Sequence, residues 1–85
     1  MTATPQDAAQ QAGQRAALAR LVRMANQIAI AFRLQPRAQA VAGAADHIKS
    51  FWTPKMRRDI AAHLAEGGEG LEPLAKEAIA RLPAR

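Results

Sequence analysis

Eighty-five residues, 49% of them hydrophobic and none of them cysteine, are enough for one small domain. They exclude a disulfide scaffold, a thiolate metal site, a cysteine-ligated iron–sulfur cluster and a cysteine nucleophile. The formal net charge is +5, and residues 15–37 carry Arg15, Arg20, Arg23, Arg33 and Arg37 with no acid at all. Such a basic stretch points to nucleic acid, an anionic membrane surface or an acidic protein groove, or is simply a solvated arginine face. No apolar run approaches the roughly 20 residues that span a bilayer. Residues 1–13 lack the basic start and apolar core of a secretory signal. A cytoplasmic chain with no membrane association is therefore expected.

Residues 1–13 read as a flexible tail of Thr, Pro, Gln, Asp, Ala and Gly. A long helix is predicted over 14–34, with Leu18, Leu21, Val22, Ala25, Ile28, Ala29 and Phe32 forming one stripe at 3–4 spacing. Pro36 ends it, because the residue before a proline avoids the helical region. Met24 lies at the edge of the stripe. Ile30 and Leu34 fall off it, among Arg20, Arg23 and Gln27, and either mark a second contact surface or are wrapped by other helices.

A second helix is predicted over 37–52, with Val41, Ala44, Ala45, Ile48, Phe51 and Trp52 on one face. Its Ala40–Ala45 stretch, Gly43 included, lets another helix approach closely. Thr53 can cap a third helix and Pro54 suits its first position. That helix should run over 54–66, with Met56, Ile60 and Leu64 as its stripe and Gly67-Gly68 as its stop. The Gly67–Gly70 loop follows a helix instead of a strand, so it is not a phosphate-binding loop. A fourth helix is predicted over 71–82, burying Leu74, Ala78, Ile79 and Leu82, with Pro83 ending it. The reading is an all-α, small four-helix domain over 14–85, with the flexible N-terminal tail before it.

Chemistry is sparse. His47 and His63 are each alone on a helix, with no HExxH or other metal-ligand spacing. Asp59 precedes His63 by four residues, an ordinary surface pair. Ser50 has no base at useful spacing, and the acids are scattered. No catalytic, cofactor-binding or metal residue is assigned, and the chain is read as no enzyme. Helices two and three would resemble a helix-turn-helix with Lys55, Arg57 and Arg58 on the recognition helix. The missing turn, the alanine-rich third helix and the charge on helix one disfavour nucleic acid. Membrane-surface binding is weaker still, since helix one has no tryptophan.

Leu21-Val22-Arg23-Met24-Ala25-Asn26-Gln27-Ile28 is followed by Ala40-Val41-Ala42-Gly43-Ala44-Ala45-Asp46-His47-Ile48 and by Phe51-Trp52-Thr53-Pro54-Lys55-Met56-Arg57. Then come His63-Leu64-Ala65-Glu66-Gly67-Gly68-Glu69-Gly70-Leu71 and Pro73-Leu74. In order and spacing these segments resemble the delta subunit of soluble NAD-dependent formate dehydrogenases, from about Leu18 to Leu82. The resemblance implies a non-catalytic accessory subunit of a molybdenum or tungsten enzyme. Its alpha subunit would carry the bis-pterin metal cofactor and iron–sulfur clusters. Beta and gamma subunits would carry FMN and further clusters and pass electrons to NAD. The delta subunit would bind the alpha subunit and support assembly, cofactor insertion or stability, with no cofactor of its own.

The resemblance leaves the docking face open. Residue chemistry points to the 51–58 corner, with Phe51, Trp52, Lys55, Met56, Arg57 and Arg58. To it are added Arg20, Arg23, Met24, Asn26 and Gln27 from helix one, because Trp and Arg favour interface hot spots and Met adapts to irregular surfaces. Trp52 fits the core stripe better than the interface; Arg57 and Arg58 fit the interface better. The amides of Asn26 and Gln27 suit a partner's backbone, or water.

Overall fold

Helix α1 spans Pro5–Phe32, an unbroken 28 residues, in the computed structural model, which describes residues 5–83. Three shorter helices follow: α2 (Arg37–Phe51), α3 (Pro54–Ala65) and α4 (Pro73–Ala80). No strand occurs among the described residues, as the all-α reading requires. No helix is long and apolar enough to cross a membrane.

At a rise of 1.5 Å per residue α1 is about 42 Å long. It sets the long axis of a molecule measuring 50 × 23 × 19 Å. The spacing argument starts this helix at residue 14, yet it begins at Pro5. Alanine and glutamine are good helix formers, and a proline is tolerated in the first turn. The lack of large apolar residues keeps this segment out of the core without keeping it out of a helix. Residues 8–17 are all exposed, and residues 1–4 of the expected tail lie outside the described residues.

The other three helices gather on the C-terminal half of α1. Helix α2 packs on both α1 and α4, and α3 packs on the same two. Among the described residues, seven of the fifteen buried apolar ones are alanines, Ala25, Ala29, Ala40 and Ala44 among them. Such small contacts let α1 and α2 come close, and leave most of the apolar burial to the larger side chains Leu21, Val41, Ile48, Trp52, Ile60, Leu71, Leu74 and Ile79. Gly43 belongs to this approach. A Cβ there would stand 2.6 Å from the Phe32 ring, which accounts for a glycine in a helix interior at a cost of about 1 kcal/mol relative to alanine.

Helix ends follow their local signals. The Thr53 hydroxyl accepts a hydrogen bond from the Met56 amide at 3.2 Å, capping α3. Replacing Thr53 by alanine should cost about 1 kcal/mol, seen as a lower denaturant midpoint with an unchanged slope. At the far end, the Gly67 amide donates to the Leu64 carbonyl and the Gly68 amide to the His63 carbonyl, each at 2.9 Å. This Schellman closure needs the positive φ of Gly67, +117°. Helix α4 is shorter than the predicted 71–82. Pro73 takes its first position, and Arg81 and Leu82 bond to carbonyls three residues back, Ala78 and Ile79. Leu71 is nevertheless buried and Leu82 partly so.

One residue leaves the face assigned to it. Phe51 is 74% exposed although it is three residues from Ile48. That spacing turns it about 60° off the α2 core line, while Trp52 at i+4 stays near it.

Candidate functional site

The corner between α2 and α3 gives its large side chains opposite surroundings. Trp52 turns into the core at 5% exposure, and Phe51 stands out on the surface. The His47 imidazole lies one turn before Phe51. Its ring centroid is 4.6 Å from that of Phe51 and 6.5 Å from that of Phe32, the latter edge-on. Beside Phe32, α1 adds Met24, Gln27, Ile28 and Ala31. With Met56 closing the α3 side, they bound an open groove of about 420 Å³ that no carboxylate lines.

Arg20 and Arg23 continue the same side of α1 toward its N-terminus, since Arg20 precedes Met24, and Arg23 precedes Gln27, by one turn. Both are exposed. The ion pairs among the described residues are Arg37–Glu77 and Lys55–Asp59, so neither arginine is paired there. Two further apolar side chains, Ile30 and Leu34, are 44% and 93% exposed; of the two alternatives the sequence left for these off-stripe residues, wrapping by other helices is the one not found.

A second construction on α1 faces the other way. The Asn26 side-chain amide donates from Nδ2 to the Gly70 carbonyl and accepts at Oδ1 from the Glu72 amide, both at 2.8 Å. Only this orientation of the amide satisfies both groups. The His63 ring nitrogen Nε2 meets the Glu69 carbonyl at 2.7 Å, and so donates its N–H to it. Together the two side chains pin the 66–72 turn to α1 and α3.

The family described as NADH-dependent formate dehydrogenase delta subunit FdsD matches the chain over residues 20–79. The chain belongs to that family. The matched span runs from Arg20 through nearly all of α4, so it takes in the groove, the Asn26 clamp and the capped α2–α3 corner. The family name makes its members parts of a multi-subunit formate dehydrogenase. No curated protein and no solved structure matches the chain.

Within this delta-subunit fold, the residues expected at an interface separate into groups. Met24, Gln27, Phe51, Trp52 and Met56 meet in the groove, with Arg20 and Arg23 beside it. Asn26 does not reach outward, because its amide is occupied by the chain's own loop. Lys55 is held 2.7 Å from Asp59 on α3 and faces Gln14, Ala17 and Leu18 instead of the groove. The same contact takes Asp59 away from the expected pairing with His63. Arg57 is half-buried, and its Nη1 donates to the carbonyls of Lys49 at 3.0 Å and Trp52 at 2.8 Å. It caps α2, placing a cation on the negative end of that helix. Arg58 lies on another side, near Ala61, Leu64 and Leu82.

Phe32 and His47 complete the groove, and neither is among the interface residues expected from sequence. Phe32 reads there as core stripe, which it partly is, and His47 as a lone histidine. The i, i+4 spacing of His47 and Phe51 was the visible signal for a ring pair on one helix face. No group of three or more metal-ligating side chains occurs among the described residues.

Proposed function

We propose that this delta subunit is a non-catalytic accessory of a cytoplasmic, NAD-reducing formate dehydrogenase, and that it binds the alpha subunit that carries the metal-pterin cofactor. Its role is to support assembly, cofactor insertion or stability of that subunit, while formate oxidation and electron transfer run through the cofactors of the alpha, beta and gamma subunits. The observation that carries this reading is the family match over residues 20–79. The apolar groove supports it, beside arginines without an ion pair among the described residues, because a chain that works by docking needs an uncovered contact surface.

The chain's own residues supply packing and charge, not redox chemistry. Without cysteine it offers no thiolate to a cluster. The helix-turn-helix alternative loses Arg57, whose guanidinium is occupied by the α2 carbonyls, and finds only Trp52 and Thr53 between the two helices.

The test is an affinity purification of the full chain from its native cells, with mass spectrometry and metal analysis of what accompanies it. A molybdenum- or tungsten-containing, iron–sulfur and flavin assembly with formate-dependent NAD reduction is expected. Recovery of nucleic acid, or of the chain alone, would overturn the reading.

A further inference from the structure

We propose that the groove between α1 and the α2–α3 corner seats a short amphipathic helix of the catalytic subunit, apolar on the inserted face and flanked by carboxylates. The inference rests on the accessory-subunit reading above and adds the docking face and the chemistry of what fills it. Four observations lead to it.

First, the groove is apolar and open. Met24, Ile28, Phe32 and Met56 line it, and Phe51 stands on its rim at 74% exposure. An aromatic held by a neighbouring ring, as Phe51 is by His47, presents contact area at little cost in side-chain entropy and is the type of residue that dominates interfaces. Second, its wall on α1 extends from Met24 to Phe32, eight residue steps or about 12 Å. That matches two turns of a helix, whose anchors recur at i, i+3 or i+4 and i+7. No strand edge exists among the described residues to which an extended segment could add.

Third, the charge is one-sided. Arg20 and Arg23 flank the groove on α1, exposed and without an ion pair among the described residues, and no carboxylate lines it. Arg57 covers the α2 carbonyl end beside the corner, so the negative end of that helix is countered as well. The complement of such a rim is acidic. Fourth, a second copy of this chain is a poor occupant. It carries +5 overall, and pairing like grooves would bring two arginine rims together.

The test uses the full chain with the assembled alpha, beta and gamma subunits. Binding is titrated for the native chain, for Phe51→Ala, for Arg20→Glu with Arg23→Glu, and for Arg58→Glu as the off-face control. Circular dichroism melts verify that each variant is folded. Phe51→Ala is expected to weaken binding at least about tenfold. The double arginine variant is expected to weaken it and to flatten its dependence on salt, and Arg58→Glu to leave it unchanged. A photo-crosslinking residue at position 51 should attach to a catalytic-subunit segment with apolar residues at helical spacing and Asp or Glu beside them.

If the complex forms and the groove variants bind like the native chain, the groove assignment fails while the accessory-subunit reading stands. A crosslink to a second copy, or to a segment lacking acids, overturns the stated occupant. If the native chain binds no formate dehydrogenase subunit, both fall together.

Discussion

Trp52→Ala is expected to remove about 3–5 kcal/mol of folding stability. A chain of 85 residues has roughly 4–13 kcal/mol in total, so the variant should lose a large share of its stability and melt at least about 12 °C below the native chain. Trp52 is 5% exposed at the point where α2 ends and α3 turns back over α1. Met24, Ile28, Phe32 and Met56 border it along the groove, and the backbone at the corner is fixed by the Thr53 cap and by Arg57 bonded to the Trp52 carbonyl, so the space it leaves closes only in part. The measurement is far-UV circular dichroism against temperature and denaturant, since the substitution also removes the only tryptophan. Phe51→Ala, one residue away, is the matched control. Its side chain lies mostly in solvent, so its melting curve should stay close to that of the native chain. A Trp52→Ala variant that melts like the native chain would mean that the corner is not part of the core.

Asn26→Ala should cost about 1–3 kcal/mol, the sum of two ordinary hydrogen bonds, and Asn26→Asp should cost at least as much. The aspartate result is the sharper one. A carboxylate can still accept from the Glu72 amide, but it has no donor for the Gly70 carbonyl, so two acceptors would face each other. Glu69 and Glu72 nearby in sequence add like charge. Because Asn26 joins residues 44 and 46 positions away, the loss is expected in the docking of α4 as well as in global stability. Denaturant midpoints of the three proteins, with amide exchange of the Glu72 N–H, report it. An aspartate variant as stable as the native chain would show that the bond to Gly70 contributes nothing.

Helix patterns alone fix the role of neither Trp52 nor Asn26. The spacing of Val41, Ala44, Ala45 and Ile48 gives α2 and its inward face, and places Trp52 on that face. The same pattern wrongly takes Phe51 with it, because a stripe drawn at 3–4 spacing has no means of knowing where the neighbouring helix stops covering it. Asn26 reads on a helical wheel as an outward amide. Its partners are backbone groups of a loop more than forty residues away, and backbone groups carry no sequence signature. Arg57 is a similar case: a basic residue on a short helix looks free until the carbonyls of the preceding helix are seen to converge on it. Ile30 and Leu34 are legible as lying off the stripe, but whether another helix covers them is not, and only the packing leaves them exposed.

By itself the sequence determined the all-helical class, the four helices, the Thr53-Pro54 start and the glycine stop of α3, and the delta-subunit family. Those properties depend on local chemistry: periodicity, capping hydroxyls, prolines and a run of short motifs in a fixed order. The tertiary structure decided that Arg57 is occupied by backbone carbonyls, which of two adjacent aromatics is core and which is rim, and that Met24, Phe32, His47, Phe51 and Met56 share one groove. Those properties depend on distances between residues far apart in the chain, and such distances are set only when the helices pack.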